Sequence, residues 1–193
     1  MALFKKKEAL CLELGNKGSL QRSYGGQAVI LKTWGRLEEA MAMHKKEESL
    51  CLELGDKHWL QVSYCNQAGI LQAWGRQAEA MALHKKQEAM CLELGEKHSL
   101  QTSYGNQAWI LQVWGRLEQA MVLLKKQEAL CLELGSRSGL GYCYCNWGLL
   151  ARAQGDRVTE RTKLQTALDI FTELKMPRER DAVAAELAKT AGT

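Results

Sequence analysis

Cysteine, histidine and asparagine, the side chains best suited here to metal binding, proton transfer or recognition, return along this chain at one interval. Cys11, Cys51, Cys91 and Cys131 are each 40 residues apart, His44 and His84 keep the same step, and so do Asn66, Asn106 and Asn146. Four thiols in line would be the start of a zinc site or a disulfide framework. The interval argues against both. Equivalent residues of stacked helical units lie on the order of 10 Å apart, beyond the roughly 7 Å Cα limit for a disulfide. Cys143 and Cys145 are two apart on a helix and point to different sides. The cysteines therefore read as buried, reduced thiols, with no metal and no cofactor. His84 with Glu88 at i, i+4 has the spacing of an ordinary helix-surface pair, and a histidine on an apolar helix face is expected to be a packed residue with one nitrogen satisfied. His58 and His98 stand at helix starts and are expected to face solvent. No Ser/His/Asp or Cys/His set, carboxylate pair or phosphate loop appears, so the chain is expected not to be an enzyme.

The elements that place these residues follow from the same interval. The pentapeptide CLELG occupies 11–15, 51–55, 91–95 and 131–135. Between 41–80 and 81–120 roughly two positions in three are identical, the mark of an array whose units bury their apolar faces against neighbours. Pro177 is the single proline, so little interrupts helix before it. Gly15, Gly55, Gly95 and Gly135 follow Leu-Glu-Leu as left-handed C-caps. Gly35, Gly75, Gly115 and Gly155 form a second set of breaks. Between the two sets the pattern predicts helices over 18–33 and 36–54, 58–73 and 76–94, 98–113 and 116–134, and 138–153 and 156–175. Leu100, Tyr104, Ala108 and Leu111 make one face of a first helix; Ala80, Leu83, His84, Gln87, Cys91 and Leu94 make one face of a second. The fold class is all-α, built of antiparallel helix hairpins.

Composition narrows the function classes. Charged residues are 25% of 193, the net charge is +4, and acidic and basic residues are interspersed. Nothing in that balance calls for nucleic acid or a membrane surface. No apolar run reaches the roughly 18 residues that span a bilayer, and Met1–Lys7 does not read as a signal peptide. The expectation is a cytoplasmic protein.

Tyr104-x-x-Gln107-Ala108-x-x-Leu111, then Gly115, then Ala120-x-x-x-Leu124, resembles the tetratricopeptide repeat signature. The match recurs from Tyr24, Tyr64 and Tyr144 and covers most of the chain. The period is 40 rather than 34, a Leu-Glu-Leu-Gly cap replaces the closing proline, and Gln27, Gln67 and Gln107 stand where leucine is usual. It is similar to the longer-repeat branch, as in kinesin light chain and the Leu-Gly-Asn repeat proteins. The resemblance implies a right-handed superhelical solenoid over 1–193. Its parts would be 1–15, the second helix of a truncated repeat; four hairpin repeats at 16–55, 56–95, 96–135 and 136–175; and a capping helix in 176–193, with Val183 and Leu187 on its apolar side.

The repeats differ from one another in an orderly way. Tyr24, Tyr64, Tyr104 and Tyr144 are invariant, as are Leu31, Leu71 and Leu111. Variation collects at Arg22/Val62/Thr102/Tyr142, Gly25/Cys65/Gly105/Cys145, Val29/Gly69/Trp109/Leu149, Lys32/Gln72/Gln112/Arg152 and Thr33/Ala73/Val113/Ala153. These places are 3 or 4 apart and form one stripe. The resemblance implies that the stripe, with Asn66, Asn106 and Asn146 beside it, lines a concave groove that binds an extended or helical peptide of a partner protein. Asparagine donates and accepts at once, which suits a peptide backbone; the alternative is a bond to a neighbouring helix. Trp109 is the type of residue that anchors an interface, while Trp34, Trp74 and Trp114 at the hairpin corners are expected to pack. Arg22, Lys32 and Arg152 favour an acidic peptide. A second reading is self-assembly, a homodimer formed through residues 1–15.

Overall fold

The computed structural model describes residues 1–190, and among these there are ten helices and no strand. They are α1 (Ala2–Glu13), α2 (Lys17–Thr33), α3 (Leu37–Leu54), α4 (Lys57–Ala73), α5 (Gln77–Leu94), α6 (Lys97–Val113), α7 (Leu117–Glu133), α8 (Arg137–Gln154), α9 (Arg157–Glu173) and α10 (Pro177–Ala188). The eight hairpin helices fall where the glycine punctuation places them, with small differences at the ends. Arg36, Arg76 and Arg116, expected as first helical residues, are N-caps instead. The last helix begins at Pro177 rather than after it, because proline at the first helical position surrenders an N–H that would have no partner there.

Two compact units make up the chain, one from Met1 to Gly95 and one from Glu96 on. In the first, α2 pairs with α3 and α4 with α5, while α1 packs on α2 and α3 on α4. In the second, α6 pairs with α7 and α8 with α9, α7 packs on α8, and α10 closes on α9.

Two turn types separate the helices. At the end of α3 the Asp56 N–H bonds the Cys51 carbonyl and the Gly55 N–H bonds that of Leu52, with Gly55 at φ +65. That is the Schellman arrangement, which needs a left-handed residue and gives the last carbonyls donors. Asn16, Asp56, Ser136 and Asp156 then cap the next helix by accepting from the backbone N–H three residues on. One short motif thus stops one helix and starts the next.

The hairpins cross where side chains are smallest. Ala28 and Ala40, Ala68 and Ala80, and Ala108 and Ala120 are buried. Around them sit local clusters such as Cys51, Leu60 and Tyr64 with Leu83 and Met90. The stacking of hairpin on hairpin is unusually polar. Ser23 Oγ donates to the Phe4 carbonyl (3.0 Å) and Ser63 Oγ to that of His44 (3.3 Å). Gln27 Nε2 donates to Glu8 (2.7 Å) and Gln67 Nε2 to Glu48 (2.9 Å). Each bond ties the first helix of a hairpin to the helix stacked before it, so the glutamines in place of leucine have a partner. Phe4 lies over Gly26, where a Cβ would collide with its ring.

Some expectations are corrected. Leu94, assigned to the apolar face of α5, is 40% exposed, because the last turn of that helix runs past the end of its neighbour into the cap. Trp74 packs against the Leu31, Ala40 and Ile70 cluster as expected. Trp34 and Trp114 are instead exposed, at 55% and 39%. The position 25/65/105/145 is not a drifting surface site. A Cβ at Gly25 would collide with Glu47, and one at Gly105 would lie 2.7 Å from Gln127 Nε2, so side-chain size on the paired helix dictates these residues. Val183 is buried against Leu164, Ala167 and Phe171 with Leu187 beside it, the apolar side assigned to the terminal helix.

Replacing Gly55 by alanine forces a side chain into the left-handed cap. Urea unfolding should show a loss of about 1 kcal/mol or more, with the circular dichroism of the native helices unchanged.

Candidate functional site

All thirteen side chains assigned to the stripe are exposed or half-buried, on helices whose other faces are buried. In the first unit α2 carries Arg22, Val29 and Lys32, all exposed, and α4 carries Val62, Asn66 and Gln72, all half-buried. The two rows adjoin, since a Cβ on Gly69 of α4 would lie 3.2 Å from Lys32 Nζ. The second unit has exposed Thr102 with half-buried Asn106, Trp109 and Gln112 on α6, and exposed Tyr142 with half-buried Asn146 and Arg152 on α8. Here too the helices are neighbours: Asn146 Nδ2 donates to the Gly105 carbonyl at 3.5 Å. That asparagine reaches the adjacent helix.

Tyr142 and Arg152 are engaged with the terminal helix. The Tyr142 hydroxyl donates to Glu179 at 3.0 Å, and its ring meets Phe171 edge-on at 5.1 Å. Arg152 donates from Nε to Glu160, from Nη1 to Glu186 (2.7 Å) and from Nη2 to the Glu186 carbonyl (2.9 Å). Burial alone would raise the Glu160 carboxyl, but donation from Arg152 and Arg157 prevails and holds it below the ordinary carboxylate range. Hydrogen bonds from Lys189 and Arg152 lower Glu186 likewise. Of the three cations expected to bias the groove, Arg152 therefore has its charge met within the fold, while Arg22 and Lys32 stand in solvent. Glu179 and Glu186 were not singled out from the sequence. The signal lay in the register: Pro177 follows Arg137 by 40 residues, which lays α10 out as another first helix, beside α8.

The residues best equipped for chemistry lie elsewhere. His44 and Glu47 are buried together, with Nδ1 2.8 Å from Oε2. His84 Nδ1 is 3.2 Å from Gln87, and burial lowers its pKa. His58 and His98 are exposed at their helix starts. Every cysteine is free. Burial pushes Cys51 and Cys143 up to about 12 and Cys131 to about 11, so these thiols stay protonated. Among the described residues no three His, Cys, Asp or Glu side chains are grouped to hold a metal ion, and no helix is long and apolar enough to cross a membrane.

A lysine lies over each invariant tyrosine: Lys46 over Tyr24, Lys86 over Tyr64 and Lys126 over Tyr104, at 5.2 to 5.4 Å from the ring centre. In the last hairpin Lys163 sits 4.2 Å from the rings of both Tyr144 and Trp147. These contacts set the edge of the stripe by holding the tyrosine rings against the paired helix.

No family model matches the chain, and no curated protein matches it in sequence. Solved structures do match in fold. BtubC (BKLC) from P. vanneervenii superimposes with a TM-score of 0.72 at 15% identity, covering 97% of this chain and 86% of the other. Nearly identical TPR-like repeats from Podosopora anserina, of kinesin light chain type, give 0.66 at 21% identity, covering 88% and 84%. A thermophilic TPR protein of Thermus thermophilus gives 0.56 at 17% identity, covering 89% and 91%. The fold is the tetratricopeptide-like array of helix hairpins.

Arg152→Ala should cost about 2 kcal/mol by orphaning buried Glu160, with hydrogen exchange in 177–188 accelerating before that of the other helices. The pH dependence has one sign. Because the Glu160 and Glu186 carboxyls are lowered in the fold, their contribution is present above the ordinary glutamate value of about 4.3 and is lost as pH falls through the depressed values. Protection of α10 should therefore fall on acidification below that value, and the Arg152→Ala protein should lack that step.

Proposed function

We propose that this chain is a non-enzymatic interaction module that holds an extended or helical peptide of a partner protein along the exposed faces of its first helices. The observation that supports this is the division of those helices. One face is invariant between repeats and buried, while the other varies and stays accessible in every copy. On that accessible face Trp109 offers a large half-buried ring, the residue type most often found at the centre of an interface. Asn66 and Asn106 stand beside it and supply amide groups suited to a peptide backbone. Exposed Arg22 and Lys32 favour an acidic segment of the peptide over the first unit, since Arg152 already has carboxylate partners. Neither nucleic acid nor a membrane is part of this reading, and it places the protein in the cytoplasm.

A second reading is self-assembly through residues 1–15. Leu3, Leu10 and Leu14 lie along one side of α1 and are 81%, 54% and 70% exposed, more apolar surface than the other helices leave open. Light scattering separates the two, since a monomer whose mass is independent of concentration rules assembly out.

Peptide-display selection on the whole chain should enrich sequences that share a motif. The triple variant Asn66→Ala, Asn106→Ala, Trp109→Ala should bind them at least about ten-fold more weakly, with its circular dichroism unchanged. Peptides retained by the folded variant would move the site off these helix faces.

A further inference from the structure

A cleft of about 310 Å³ opens in the first unit between α3, α4 and α5. Its walls are Met41 of α3, Leu71 and Trp74 of α4, and Leu83 of α5, with Gln67 lining it and Ala82 at its edge. Gln67, Leu71 and Trp74 are spaced 4 and 3 along α4, on a different side from Val62, Asn66 and Gln72. The cleft is thus separate from the stripe. Its size and mostly apolar lining are those of a small-molecule pocket.

Gln67 gives the cleft its chemistry. The side chain is fully buried, and its Nε2 donates to Glu48 Oε2 at 2.9 Å and to Ser63 Oγ at 3.3 Å. Glu48 also accepts from Lys45 at 2.8 Å, which keeps it an ionised acceptor. A carboxylate takes only donors, so the amide cannot flip, and Oε1 is left as a buried oxygen that accepts no hydrogen bond. The site therefore has one unmet acceptor and no unmet donor.

The last hairpin shows what suits this place. Counting 80 residues on, Gln67 corresponds to Trp147, Leu83 to Lys163 and Trp74 to Gln154. The indole of Trp147 is in contact with Lys163, at 4.2 Å from ring centre to Nζ. So in the second unit an indole stands at the inner position and an amide at the outer one. In the first unit the order is reversed: Trp74 sits at the outer position and the smaller Gln67 at the inner.

We propose that this cleft is a binding site for a small planar heteroaromatic molecule that carries a ring N–H, of the indole class. Its ring lies against Trp74, Leu71 and Leu83, and its N–H donates to Gln67 Oε1. The site is independent of peptide binding on the stripe and stands whether or not that reading holds.

The test is a calorimetric titration of the full chain with indole and with 1-methylindole, repeated on Ala82→Phe, whose bulk at the edge closes the cleft without touching Gln67. Indole should bind saturably, with 1-methylindole at least about ten-fold weaker because its donor is gone, and Ala82→Phe should weaken indole by a similar factor. The methylated compound needs no variant, so the hydrogen bond is tested even if Ala82→Phe folds poorly. Equal binding of the two compounds, or no saturation by indole up to its solubility, overturns the proposal. A tryptophan-bearing peptide that binds the cleft more tightly than indole overturns its assignment to a free small molecule.

Discussion

Everything in this fold rests on the rule that a buried polar group must find a partner. A stacked array of helices with purely aliphatic seams would slide, since one leucine contact is much like another. Here the seams carry Ser23, Gln27, Ser63 and Gln67, and each meets one particular oxygen on the helix stacked before it. Sliding by a single residue would leave those oxygens and donors unmatched in a dry interface, at a cost of about 1–3 kcal/mol for each orphan. Hydrophobic burial holds the helices together, and the polar seam decides where along each other they stop. The accessible stripe inherits its geometry from that decision, because the stripe is the opposite side of the same first helices.

The stability of the seam also explains why the titratable side chains do little chemistry. His44, Glu47 and Cys51 are all buried on one helix, next to close-packed glycine or alanine positions. Their packing is what fits one hairpin to its partner. A thiol pushed up to about 12 is a small apolar group in practice. The exposed pairs at the hairpin ends, such as Lys57 with Glu93, are half in solvent and add little to stability.

Most of the fold was legible in the sequence because glycine, cap and apolar period all repeat at the same interval and agree with each other. The boundary between helices was readable to a residue or two from Leu-Glu-Leu-Gly followed by Asn, Asp or Ser. The stripe was readable for a different reason: near-identical repeats make variable positions stand out. Where that logic failed, it failed on size. Gly25, Cys65, Gly105 and Cys145 differ among themselves because they face Glu47, Gln87, Gln127 and their like, and variation there follows the partner residue. Arg152 misled in another way. Its position marked it as a groove cation, but its carboxylates come from α9 and from a terminal helix too diverged for its register to be obvious. The orphan oxygen of Gln67 was invisible in one dimension, since it depends on which way an amide is turned by Glu48.

The contact between Phe4 and Gly26 has a bearing on how such a chain reaches its native state. Near-duplicate segments offer a folding polypeptide alternatives that are wrong by one whole repeat, where every helix is well formed and most seams are satisfied. Such traps are shallow in energy but hard to leave, because escape means undoing a correct-looking hairpin. The first helix carries a key against them. Its phenylalanine needs a residue without a side chain opposite, and only the first hairpin supplies one, since the equivalent places hold Asn66, Asn106 and Asn146. One bulky ring and one missing methyl group thus give a translationally repetitive chain a defined origin from which its other repeats can be counted.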